Sequence, residues 1–246
     1  FAPDGGSMKL TVGAGAFFCL EDTSVRVQAP LDLAVEEGGK IEMPTRNVLV
    51  AHRLTVAGVE KGRGRFRATA ENADWFESGH DISSILVPRV WTGAGDGTSW
   101  ADAANWTGGV PSQDESARIA MSADALDVTV DSGASVSNLQ IRNARGLTAL
   151  KISAAFDVPE KGSVSVGNGA KIAFMDGGSA QWQGLSALDV EDGGTLALQC
   201  GVLELSGTLL EGDGRIDMTA GSLYFAHAGW YDSLSRLSGA KTHSLS

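Results

Sequence analysis

Four cations alternate with small and aromatic residues at Lys61, Arg63, Arg65 and Arg67 in the run KGRGRFR. On an extended strand a period of two puts all four on one face and turns Phe66 to the other. Guanidinium forks match carboxylate and sulfate geometry, so such a face suits an anionic polysaccharide or a host or cell-surface glycan. A row of basic residues serves equally well to protect an exposed strand edge. Asp96, Asp102 and Asn105, with Asp114 nearby, crowd a glycine-rich stretch. Oxygen-rich glycine loops hold calcium, and the same residue types also satisfy turn backbone by themselves. Calcium is the only cofactor this pattern suggests, and the spacing departs from an EF-hand loop. Trp182 in SAQWQG, and Trp230 with Tyr231, carry the flat apolar faces and polar rims that grip sugar rings. Trp75, Trp100 and Trp106 do too, but tryptophans in glycine-rich turns also plug gaps in a core. His52, His80, His227 and His243 are scattered and do not pair as metal ligands. A glycosidase pair could be drawn in many ways among 30 acidic residues, which singles out none. With no nucleophile elbow either, no catalytic residue is named.

The elements that must carry these residues come from an internal repeat. Val35, Gly38, Gly39, Ile41 and Met43 are echoed by Val190, Gly193, Gly194, Leu196 and Leu198. Val12, Gly15, Phe18 and Leu20 repeat the frame, as do Val166, Gly169, Ile172 and Phe174. Leu210, Gly214, Ile216 and Met218 form a fifth copy, and Val130, Gly133 and Val136 a partial sixth. Each copy reads as a strand, a tight glycine turn and a second strand whose apolar residues share one face. Adjacent copies lie about 20–24 residues apart, the length of one solenoid rung. No segment sustains a helical apolar period, so the chain is predicted to be all-β.

Composition bounds the rest. The 246 residues carry a net charge of −11, which disfavours nucleic acid as a partner. The excess is uneven: residues 1–90 hold 10 basic and 12 acidic groups, residues 91–246 hold 9 and 18. No apolar run is long enough to span a bilayer. Cys19 and Cys200 give no metal or redox spacing and leave two readings open, a disulfide or two buried free thiols. Val48, Val50, Leu54 and Val56 alternate in a way that predicts hairpins, and Ile82, Ile85 and Val87 a last strand stopped by Pro88. The expected organisation is a first array with a hairpin-type cap over 1–90, a Trp/Gly-rich junction over 91–111, and a second array over 112–246. The start at Phe1 and the polar tail suggest a piece of a longer protein, with the second array truncated.

The segment Trp91–Pro111, WTGAGDGTSWADAANWTGGVP, resembles the opening of passenger-type β-solenoid modules of large secreted and surface bacterial proteins. The stretch from Val50 to Gly79 is similar to the way such modules close. The resemblance implies a right-handed parallel β-helix, an extracellular or cell-surface location, and a structural or adhesive role without a catalytic motif. Two alternatives stand beside it. One is a carbohydrate-binding module accessory to a polysaccharide-degrading enzyme; the other, by analogy of fold alone, is a polysaccharide lyase.

Overall fold

The structure is a computed structural model that describes residues 8–20, 31–45, 48–79, 84–208, 210–225, 237–238 and 244–245. Strands take 53% of the described residues. The only helix among the described residues is a single 3-10 turn at Ala103–Asn105, so the all-β expectation holds. Parallel sheets stack into a β-solenoid of about 9 turns. The chain divides into two compact units, residues 1–88 and residues 89–246.

In the first unit Met8–Val12, Leu31–Val35 and Arg53–Val56 pair in parallel, rung upon rung. A second parallel face is built from Phe17–Cys19, Lys40–Met43 and Phe76–Ser78. Apolar residues at alternate positions, among them Val12, Leu33, Val35, Ile41, Met43, Leu54 and Phe76, meet in one core. The ladder then changes sense. Arg53–Val56 turns through Ala57 and Gly58, both at positive φ, into the antiparallel strand Val59–Glu60. Gly64–Arg67 runs antiparallel to Ser84–Val87, which pairs in parallel with Val48–Val50. The alternation at Leu54 and Val56 therefore marks a rung strand as well as one arm of a hairpin. Of the expected last strand, Ile82 lies outside the described residues, while Ile85 and Val87 are buried in the core.

The second unit has three faces. One stacks Arg89–Val90, Ser116–Met121, Asn138–Asn143, Ser163–Val166, Ala187–Val190 and Leu210–Glu211. The next stacks Ala125–Val130, Leu147–Ile152, Ala170–Phe174, Thr195–Leu198, Arg215–Met218 and Leu237–Ser238. The third begins with Ala134–Ser135 and Phe156–Asp157, and continues through Ser179–Gln183, Val202–Ser206, Ser222–Phe225 and Ser244–Leu245. Because side chains alternate across a strand, each inward position becomes a column through the core. Val128, Leu150, Ile172, Leu196 and Ile216 form one such column.

Corners repeat a chemistry. In Glu191–Gly194 the Gly194 N–H donates to the Glu191 carbonyl at 2.9 Å, and Gly193 sits at φ +77°. A side chain on Gly194 would lie 2.2 Å from the Val166 carbonyl oxygen of the rung before it. Glu36–Gly39 builds the same corner in the first unit, Gly38 at φ +78° and Gly39 equally crowded by Val12. One glycine supplies the left-handed turn and the other lets the backbones close.

Two repeat copies sit differently from their expected frame. Val130 pairs with Ile152, and Ile152 with Phe174, so Val130 occupies the last position of the frame and not the first. Leu210 pairs with Leu188, not Val190, while Ile216 keeps its match to Leu196. The corner between them is thus two residues shorter than its neighbour. A strand–glycine–strand pattern fits any corner of a three-faced coil, so the pattern alone does not say which corner it is.

Candidate functional site

The Trp91–Pro111 segment folds as part of the second unit's core. Trp91, Trp100 and Trp106 are all buried. Trp106 stands edge-on to Trp91 at 5.0 Å and to Trp100 at 4.6 Å, and Trp100 meets Phe156 edge-on at 5.3 Å. The Trp106 Nε1–H donates to the Trp100 carbonyl at 2.9 Å. Backbone pairing continues the ladder here. Trp100 N–H donates to Thr129 O, and Thr129 N–H to Thr98 O. Arg89–Val90 starts the first face, and Arg89 Nε donates to Glu115 Oε1 at 2.9 Å.

Asn105 is the hub of the loop around these rings. Its Oδ1 accepts from Gly95 N–H at 2.9 Å and Gly97 N–H at 3.0 Å. Its Nδ2 donates to Asp96 Oδ1 at 2.8 Å and Ser99 O at 2.9 Å. Asp96 Oδ1 also accepts from the Thr98 and Ser99 amides, both at 2.8 Å. Asp102 accepts from Asp96 N–H and caps the 3-10 turn through Ala104 N–H. Asp96 Oδ1, both Asp102 carboxylate oxygens and Asn105 Oδ1 thus accept from the loop's own amides, and Asp114, exposed, enters none of these bonds. Among the described residues no group of three or more His, Cys, Asp or Glu side chains gathers as a metal site. The Ser99 and Thr98 amides, then the Asn105 side chain, hold the Asp96 carboxyl below its usual range.

The basic run is only partly a strand. Gly64–Arg67 is extended, so Arg65 and Arg67 share one face and Phe66 turns to the other, edge-on to Trp75 at 6.3 Å. Lys61 and Arg63 precede the strand, correcting the expectation of four cations in one row. The Arg63 guanidinium donates to the His52 carbonyl, and Arg65 reaches Ser84 Oγ at 3.4 Å. Burial, then the neighbouring Arg67 charge, lowers the pKa of Arg65.

Trp182 is fully buried, its Nε1–H donating to Phe156 O at 3.2 Å and its ring edge-on to Phe174. It presents no face to a sugar. Gln181 and Gln183 on either side face outward, so Trp182 is the inward residue of ordinary strand alternation, which a polar stretch in sequence conceals. Trp75 is likewise core, against Phe76. Trp230 and Tyr231 lie outside the described residues, as do His80, His227 and His243. His52 is half-buried, Nδ1 3.1 Å from Asp32 Oδ1. Cys19 and Cys200 are both exposed, contrary to the buried thiols expected.

What the sequence reading missed is an outward column on the third face. Gln181, Glu204 and Tyr224 are paired rung to rung, and Tyr224 is 39% exposed. Asp157 and Gln181 line a shallow groove of about 650 Å³ with Ser135, Glu160, Gln183 and Ser206, and with Glu204 they line a smaller recess of about 230 Å³; Tyr224 lines neither. The separation of Gln181, Glu204 and Tyr224 by one rung length each was the available signal. Compared with family models, with curated proteins and with solved structures, the chain matches none.

Proposed function

We propose that the chain is a non-catalytic structural and adhesive β-solenoid segment of a larger secreted or surface-exposed bacterial protein. The observation that carries this reading is the second unit's register. Successive parallel rungs bury a continuous apolar core, while most of their outward positions are polar, the build of a spacer that displays a surface. Such an array gains stability from every neighbouring rung and tolerates variation on its outer faces. The surface location rests on the resemblance of Trp91–Pro111 to passenger-type modules.

The second reading is a carbohydrate-binding module, favoured by the third-face groove and smaller recess lined by Asp157, Gln181 and Glu204. Rungs repeat every ~4.8 Å, on the order of one sugar residue, so a polysaccharide can meet a like group at each rung. The purified chain should be passed over immobilised neutral, uronic-acid and sulfated polysaccharides, and the eluates assayed for new reducing ends and unsaturated sugars. Retention without cleavage, lost in Gln181→Ala/Glu204→Ala, is the expected result for a glycan-binding solenoid. No retention on any matrix leaves the spacer. Cleavage abolished by Asp157→Asn or Glu204→Gln would replace both with an enzyme.

A further inference from the structure

The second unit holds 18 Asp and Glu against 10 Lys and Arg, so a cation there should find a carboxylate easily. Arg89, Arg145, Lys151 and Arg215 do, pairing with Glu115, Asp124, Asp127 and Asp217. Among the described residues Arg118 and Arg142 form no such pair, and neither do Lys161 and Lys171. Arg118 and Arg142 point outward from the first face, on adjacent rungs, with Arg118 opposite Gln140 and Ala120 opposite Arg142. That register makes the two arginines diagonal neighbours. Arg118 lies half-buried, and its Nε is enclosed with no hydrogen-bond partner among the described residues. Burial first, and then the Arg142 charge, lowers the pKa of Arg118. Both causes record a positive charge removed from water and set near a second one.

An enclosed guanidinium N–H without an acceptor costs free energy, and so does a like charge one rung away. An oxyanion held by the terminal nitrogens of the two guanidinium groups would offset the charge of both. We propose that Arg118 and Arg142, with Gln140 between them, form an anion site for a carboxylate or sulfate group. Planar guanidinium forks bind such groups bidentately, which lysine does not reproduce. The group can be a free ion or the acid substituent of a uronic or sulfated sugar. The site does not depend on the glycan reading above, because it lies on a different face from the groove.

The test follows Arg Nε–Hε resonances of the whole chain during titration with sodium sulfate, with a uronic-acid oligosaccharide and with a sulfated oligosaccharide, ionic strength held constant by chloride. Arg118 and Arg142 signals should shift together and saturate. Arg118→Gln and Arg118→Lys should each weaken the affinity roughly tenfold or more, since one charge-assisted contact is lost or loses its fork. Tighter binding of an oligosaccharide than of sulfate assigns the site to a sugar acid; equal binding assigns it to the free ion. Uniform, unsaturable shifts, or equal affinity in parent and Arg118→Gln, overturn the site. Because the parent titration alone shows whether these two signals move together, a variant that fails to fold does not block the outcome.

Discussion

In the first unit the parallel ladder is joined by antiparallel pairing at Val59–Glu60 and Gly64–Arg67, whereas in Trp91–Pro111 the ladder of the second unit is filled in by side chains. A solenoid end leaves two things to satisfy, unpaired backbone groups and an open apolar core. The first unit handles the backbone, turning Arg53–Val56 into a hairpin and laying Gly64–Arg67 along Ser84–Val87. The second handles the core, setting three tryptophans edge to edge with Trp100 against Phe156, and uses Asn105 and two aspartates to hold the loop that carries them. Backbone closure is local and depends on turn geometry. Aromatic closure depends on ring volume and on a polar hub with no substitute nearby, so the two ends should fail differently.

The largest effect is expected from Trp106→Ala, which removes a ring that is 4% exposed and touches both other tryptophans. It should cost about 3–5 kcal/mol in denaturant unfolding, and limited proteolysis should then cut within 91–111. A variant as stable and resistant as the parent would mean that the ring does not close the core.

Asn105→Ala should follow at about 2–4 kcal/mol, because it orphans the Gly95 and Gly97 amides and removes two donors. Addition of calcium or a chelator should leave the parent's unfolding midpoint unchanged. A rise with calcium that Asn105→Ala abolishes would turn the hub into a cation site.

Gly58→Ala probes the other end. At φ +77° an alanine is strained, by about 1–2 kcal/mol, and amide exchange should quicken at Val59 and Glu60 while the second unit's amides keep their protection. If the second unit loosens equally, the two ends do not act separately.

The smallest effect is that of acid. Asp96 ionises more readily folded than unfolded, because the Ser99 and Thr98 amides and Asn105 bind its carboxylate. Its contribution is fully present above the unfolded pKa of about 3.9 and is lost as pH falls through the lower folded value. Glu115 adds in the same direction, its burial outweighed by Arg89 and Ser112. The unfolding midpoint should therefore drop below about pH 4, and drop less in Asp96→Asn. An identical acid limb in that variant would remove Asp96 from the account.

Much of the architecture was legible because a rung is written locally. Val35–Met43 and Val190–Leu198 each encode strand, glycine corner and strand within nine residues, and their period is set by backbone pleat and turn sterics. The site was less so. KGRGRFR reads as one strand, yet only Gly64–Arg67 finds a partner in Ser84–Val87, and that pairing spans a sequence distance that alternation cannot report.

By itself the sequence determined the all-β class, the rung length and the positions of the glycine corners. These follow from periodicity and from positive φ, each a property of a short segment. Only the tertiary structure decided which corner each repeat copy occupies, that Trp182 faces inward, that Asn105 ties Asp96 to the loop's backbone, and that Arg118 and Arg142 stand on neighbouring rungs. The physical reason is register. A shift of one residue exchanges inside for outside along a whole strand, and rung-to-rung pairing, which alone sets that shift, joins residues more than twenty positions apart.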